Sequence, residues 1–200
     1  MRVFSYKMVR DFGFAPNPFH GVCTLATCKP AIRKAAQPGD IVVGCGGSKT
    51  PRAGRVVYAM RVGGKCGFQE YWEDPRFAAK RPGLHAGRAR VFGDNIYHRG
   101  PDGRWMQEDS HHSHPDGSLN EDNLRQDTRV EDVLWADDFA YFGRDAPLVP
   151  DHLRNFDGED LYPDVRDHRC RFSAGFVQAV AEWFDALPRR GYLGRPADWT

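Results

Sequence analysis

No stretch of 18 apolar residues occurs anywhere in the 200-residue chain, which excludes a membrane-spanning helix of ordinary length. Met1-Arg2-Val3-Phe4-Ser5-Tyr6 has neither an apolar core nor a small-residue cleavage site, so no signal peptide is expected. The five cysteines, Cys23, Cys28, Cys45, Cys66 and Cys170, are odd in number and irregularly spaced. No Cys-x-x-Cys occurs among them. That pattern suits a reducing cytoplasm better than a disulfide framework, so a cytoplasmic protein without membrane attachment is expected. Internal repeats, low-complexity stretches and a Gly-x-Ser-x-Gly nucleophile elbow are also missing. Lysine is absent after Lys80.

The missing lysines belong to a wider asymmetry. Residues 1–100 hold 17 Lys+Arg against 6 Asp+Glu, and residues 101–200 hold 11 against 21, although the whole chain carries a net charge of only +1. A basic half raises the prospect of an anionic partner such as DNA, RNA or a modified nucleotide. The plain alternative is that the halves fold onto each other and cancel. Composition is otherwise globular: 40% hydrophobic residues, with 13 Phe, 7 Tyr and 5 Trp to fill a core.

Val3–Val9 reads as a first strand. Residues 11–21, Asp-Phe-Gly-Phe-Ala-Pro-Asn-Pro-Phe-His-Gly, are an aromatic loop punctuated by Gly and Pro. Thr27 or Cys28 suits the entry of a short helix, Pro30–Ala36. Pro38-Gly39 fits a type II turn before a strand at 41–44, buried on both faces. Residues 55–62 form the clearest strand, ended by Gly63-Gly64. Residues 68–80 read as helix broken at Pro75, and 81–90 as a basic loop. Gly100-Pro101-Asp102-Gly103 is the turn of a hairpin over 95–107. Residues 115–129 read as polar loop or frayed helix. Short strands follow at 130–135 and 139–142, and residues 145–169 read as a wrapping segment. Phe172, Phe176, Val180, Phe184 and Leu187 recur at three- and four-residue spacing and make the apolar face of a C-terminal amphipathic helix, 173–187. The tail beyond it carries Tyr192 and Trp199. Strands and helices do not alternate regularly. The expected fold is therefore α+β: a mixed or mainly antiparallel, barrel-like sheet with short helices, in one domain over 1–200.

Two segments carry a family likeness. One is Gly13-Phe14-Ala15-Pro16-Asn17-Pro18-Phe19, continuing through Cys23-Thr24-Leu25-Ala26-Thr27-Cys28-Lys29-Pro30-Ala31-Ile32-Arg33. The other is Gly39-Asp40-Ile41-Val42-Val43-Gly44 followed by Val57-Tyr58-Ala59-Met60. With Tyr71-Trp72, Asp74-Pro75-Arg76-Phe77 and Gly93-Asp94-Asn95-Ile96-Tyr97, they resemble the second type of nucleotide-modification-associated domain over 1–145, leaving 146–200 as wrapping segment and helix. The resemblance implies a setting of DNA base modification and phage–host conflict, not a reaction. A fainter likeness to the PUA, ASCH and EVE barrels implies a fold that takes an extruded base into an aromatic pocket.

Three groups of residues are candidates for chemistry. Phe14, Asn17 and Phe19, with Asn95, Tyr97 and Trp105 as neighbours, suit a base pocket: flat apolar walls and amide groups for the base edge. The alternative is that the phenylalanines plug the end of the sheet. Lys29, Arg33, Lys49, Arg52 and Arg88 suit phosphates, or are solvated basic residues. Asp94, Asp109, His111 and His112, with His98 and His114 nearby, suit a hydrolase or nuclease acting on nucleotides or modified DNA. No known metal spacing is present there. No resident cofactor is expected, and a divalent cation is the one candidate. On a strand, only His112 with His114 or Asp109 with His111 would share a face. Gly46-Gly47-Ser48-Lys49-Thr50 departs from a phosphate loop, because Ser48 separates Gly47 from Lys49 and Pro51 follows. His20, Cys23 and Cys28 lack a fourth zinc ligand. Cys23 or Cys28 acting with a distant histidine stays open, and nothing local selects either.

Overall fold

The computed structural model describes residues 1–83, 85–165 and 167–199. Leu84 of the basic loop, Arg166 of the wrapping segment and Thr200 of the tail lie outside them. In chain order the strands are β1 (Val3–Met8), β2 (Cys23–Leu25), β3 (Ile41–Gly46), β4 (Val56–Arg61), β5 (Gly64–Gly67), β6 (Tyr97–Arg99), β7 (Trp105–Gln107), β8 (Asp132–Ala136), β9 (Phe139–Tyr141), β10 (His168–Arg169) and β11 (Gly191–Tyr192). The helices are α1 (Pro30–Ala35), α2 (Phe68–Glu73), α3 (Arg88–Val91), α4 (Glu121–Thr128) and α5 (Ala174–Asp185), with a tighter 3-10 stretch at Pro75–Lys80.

A six-stranded mixed sheet runs β10-β1-β3-β4-β9-β11, and a three-stranded antiparallel sheet runs β2-β8-β5. One bent ribbon joins them. β4 continues into β5 across Val62-Gly63, and its partner β8 continues into β9 across Asp137-Asp138. Arg61 N donates to Asp138 O (2.9 Å) and Gly63 N to Trp135 O (2.9 Å) through the bend. The expected α+β class with mixed sheets is therefore present. Among the described residues the sheets stay open and form no closed barrel. The curl comes from the shared ribbon rather than from pairing of the outer edges.

Period-two alternation explains how the large sheet is buried on both sides. Phe4, Tyr6, Met8, Val42 and Met60 face the small sheet and Ile32 of α1. Val3, Ile41, Val43, Val56 and Ala59 face α5, which buries Phe176, Val180, Ala181 and Phe184 against them. Each such side chain withdrawn from water contributes about 1.5–3 kcal/mol, enough for α5 to hold one whole layer. A third core, with Phe14, Phe68, Tyr71, Phe77 and Tyr97, fills the space between the small sheet and the β6–β7 hairpin.

The tail after α5 seats on the 3-10 turn that follows β9. Arg144 N donates to Arg195 O (2.8 Å), and Leu193 N to Tyr141 O (2.9 Å). Gly143, at φ +56°, and Gly194 make this approach possible: a Cβ on either would overlap the opposing backbone. Gly143→Ala is expected to lower stability by more than about 2 kcal/mol through strain and this overlap. Urea unfolding measures it, and an unchanged midpoint would contradict this seating of the tail.

Candidate active site

Cys28 lies at the end of the segment that follows β2, directly ahead of α1. The helix entry differs from the expected one. Lys29 rather than Thr27 or Cys28 is the N-cap residue, and no side chain caps the helix. Cys28 (φ 57°) and Lys29 (φ 38°) are consecutive L-residues in the left-handed region, an arrangement that costs on the order of 1 kcal/mol per residue. Two buried groups hold it. The Asp127 carboxylate accepts a hydrogen bond from Cys28 N (2.8 Å), and Arg33 Nε donates to Cys28 O (2.9 Å).

Asp127 belongs to α4, a polar helix capped by Asn120, whose side chain accepts from Asn123 N. It is the one fully buried residue of that helix, at 1% exposure. Its Oδ2 accepts from Tyr97 OH (3.0 Å) and pairs with His112 Nδ1 (2.7 Å). His112 Nε2 in turn lies 4.0 Å from Cys28 Sγ, at the outer limit of a thiol–nitrogen contact. Thiol, imidazole and carboxylate thus stand in a line, and all three border a cavity of about 410 Å³ together with Lys29, Gln126 and Arg129. Burial alone pulls the His112 imidazole down. The hydrogen bond that its Nδ1–H donates to Asp127 and the contact with Cys28 more than offset it and hold the group up at about 9. At neutral pH His112 is therefore cationic.

The residues singled out in the sequence separate into distinct places. Asp94 is buried in the core, accepting from Thr24 Oγ1 (2.7 Å) and Tyr71 OH (2.8 Å). Asn17 is equally buried. Its Oδ1 accepts from the buried Lys80 Nζ (2.7 Å), and its amide donates to Phe92 O (2.9 Å). Asn95 donates to Tyr71 O (2.8 Å) from inside the same core. Trp105 lies edge-on to Phe68 under the Arg99 guanidinium. Phe14 packs on the rings of His111 and His112. Phe19 borders a separate cavity of about 400 Å³ with Phe139 and Tyr192. Arg33 is wholly buried, its guanidinium spent on the carbonyls of Cys28, Asp127, Val130 and Asp132. Lys29 pairs with Asp167 (3.6 Å) and Arg52 with Asp198 (3.5 Å), while Lys49 and Arg88 are exposed.

The histidine cluster is a turn, closed by Ser113 N to Ser110 O, not a strand. Its members therefore diverge. His111 rests against Phe12 and Phe92, and His98 pairs with Glu108 (2.8 Å). Asp109 is exposed, and only His112 turns inward to a carboxylate. Among the described residues no group of three His, Cys, Asp or Glu side chains is placed to hold a metal. Asp127 escaped the sequence reading because it sits in a polar stretch 99 residues from Cys28 and 15 from His112, with no local pattern joining them.

A family model described as nucleotide modification associated domain 2 matches residues 1–200, so the chain belongs to that family. The likeness noted over residues 1–145 thus extends to the whole chain. No curated protein and no solved structure matches the chain significantly.

The raised His112 value gives a pH dependence of stability. A group whose folded value lies above its unfolded one, 6.5 for histidine, stabilises the fold fully below that unfolded value. The contribution is lost as pH climbs through about 9. Wild type should therefore lose up to about 3 kcal/mol relative to His112→Gln between pH 6.5 and 9.5. The buried Lys80 ammonium, lowered by burial to about 8, adds a trend of opposite sign, but it is common to both proteins and cancels in the difference. Chemical denaturation across this range checks it, and parallel curves would contradict the assignment.

Proposed function

We propose that this member of the nucleotide modification associated domain 2 family is a thiol enzyme, with Cys28 as nucleophile, His112 as its acid–base partner and Asp127 as the group that orients His112. The observation that carries the reading is the line Cys28 Sγ, His112 Nε2, His112 Nδ1, Asp127 Oδ2 on the wall of a cavity. A nucleophile beside a base that a third group orients is the arrangement of covalent catalysis. The reaction it suits is acyl transfer or hydrolysis. The Cys28 thiolate adds to a carbonyl carbon and forms the C–S bond. His112 gives its Nε2 proton to the departing amine or alcohol as the old bond breaks. A water or amine, deprotonated by His112, then releases the acyl group. The reactions of nucleotide modification with this balance are those that place, exchange or remove an acyl-type group on a nucleotide.

Recognition of a modified or extruded base is the second reading. The cavity that Phe19 shares with Phe139 and Tyr192 favours it, since flat apolar walls suit a base.

Alkylation tests the first reading without knowledge of the substrate. Cys23, Cys45 and Cys66 are buried and their thiols are pushed up to about 12 by burial, so they are expected to stay unmodified in the native protein. Cys28 is expected to react with iodoacetamide at pH 7 at least about tenfold faster than the half-buried Cys170, and His112→Gln to remove most of that difference. Peptide mapping by mass spectrometry reads the rates. Equal rates at Cys28 and Cys170, or no effect of His112→Gln in a folded variant, would sink the thiol enzyme.

A further inference from the structure

A third cavity lies where the tail meets the aromatic loop. Ala197 N donates to the buried Asp11 carboxylate (2.9 Å), Asp198 N to Asp11 O (3.0 Å) and Trp199 Nε1 to Phe12 O (2.8 Å). These bonds fix Trp199 as the flat wall of a cavity of about 620 Å³, whose other walls are Arg88, Arg144 and Arg195. The three guanidiniums come from three separate parts of the chain: α3, the turn after β9, and the tail. Among the described residues none of the three has a carboxylate within 4.0 Å, although ion pairs are common elsewhere on this surface. Asp145 borders the adjoining cleft with Arg144 and Arg195 without pairing with either. Arg144 spends one contact on Trp199 O (3.4 Å), and the Arg88 guanidinium stands 6.0 Å from the Trp199 ring.

Three guanidiniums that have no carboxylate partner among the described residues repel one another around one cavity, and an anion seated among them removes that cost. The planar fork of arginine matches phosphate oxygens in pairs, which lysine does not. An indole wall beside them suits an aromatic base. We propose that this cleft binds a nucleoside phosphate, held through its phosphate by Arg88, Arg144 and Arg195 and flanked by Trp199, either as a free nucleotide or as part of a single strand. The site stands on its own residues and does not depend on the thiol reading. The two places are nonetheless joined by ring contacts: Trp199 to Phe92 (6.1 Å), Phe92 to Phe12 (5.3 Å), and Phe12 to His111 (4.7 Å), the neighbour of His112.

The test is binding of a labelled single-stranded decadeoxynucleotide to the full chain at two salt concentrations, with deoxynucleoside monophosphates and inorganic phosphate as competitors. The triple variant Arg88→Gln/Arg144→Gln/Arg195→Gln is expected to bind at least about tenfold more weakly, with a shallower salt dependence by about one unit of slope per lost contact. All three side chains are exposed, so folding should survive. If it does not, the triple lysine variant, which keeps the charge and loses the fork, should still show weakened binding at high salt. Competition by monophosphates identifies a free nucleotide, and binding of the oligomer alone identifies a strand. Either supports the site. Unchanged binding by the glutamine variant, equal competition by inorganic phosphate, or no binding of any probe would overturn it.

Discussion

A carboxylate taken out of water costs several kcal/mol unless donors replace the lost hydration, and Asp127 meets that demand in a way that organises its surroundings. Its two oxygens receive the backbone N–H of Cys28, the phenol of Tyr97 and the imidazole of His112. The same residue offers its carbonyl to Arg33, a second buried charge, which also grips Cys28 O and two carbonyls of the strand entry at 130–132. The helix after β2, the β6 strand, the histidine turn and α4 are thus drawn to one point by two buried ions. Removing Asp127 would leave Arg33 in place but strand His112 and free the backbone of Cys28. The strained left-handed pair Cys28-Lys29 exists because this network over-determines it. Strain of that kind beside a free thiol is an observation from which function is inferred.

The charge asymmetry of the sequence finds a physical explanation in the fold. Basic residues of the first half pair with acidic residues of the second: Lys29 with Asp167, Arg52 with Asp198, Arg61 with Asp138 and Asp185, Lys65 with Asp132, and Arg99 with Glu131. Cancellation between halves, the plain alternative, accounts for much of the basic surface. It does not reach the cleft of Arg88, Arg144 and Arg195, two of whose arginines come from the acidic half. Of the basic residues singled out in the sequence, Arg88 borders this cleft, and Lys29 and Arg52 are paired with carboxylates. The three arginines converge in space from separate parts of the chain, which counting along the sequence cannot see.

Elements with an internal period were legible in the sequence. β1, β3, β4 and α5 carry long runs of alternating or 3.6-periodic apolar residues, and the Gly100–Gly103 turn marks its hairpin. β2 was hidden, since three residues in a Gly- and Pro-rich region offer no period. β5 was hidden for a different reason. Gly63-Gly64 reads as a strand terminator, yet the chain continues as a strand, and the glycines make room for the Trp135 ring of the facing strand. A Cβ on Gly63 would lie 2.9 Å from that ring, and one on Gly64 closer still. α4 lacks an apolar face because the residue it buries is an aspartate. The candidate site was half legible. His112 stood out through its cluster, whereas Cys28 was open only as one of two cysteines that could act with a distant histidine, with nothing local to select it. Their junction is tertiary, and α4, which supplies the third member, read as polar loop or frayed helix.

Buried polar groups alone do not mark a site in this molecule, and comparing its two networks shows what does. Lys80, Asn17 and Asp94 are as buried as anything near Cys28, and the Lys80 ammonium and Asp94 carboxyl are both displaced by desolvation. But Lys80 spends its three protons on Asn17 Oδ1, Asn17 O and Phe19 O, and Asp94 takes Thr24 and Tyr71. The network is closed: its partners are all internal, and its work is to fix the aromatic loop against the small sheet. The Cys28–His112–Asp127 line is satisfied at its buried end and open at the other. Asp127 has every partner it needs, His112 has one ring nitrogen committed to it, and the three residues together border a cavity. A gradient from a fixed carboxylate to a loosely held thiol is what a group that must move a proton to an incoming substrate requires. The closed network offers no atom for such a transfer.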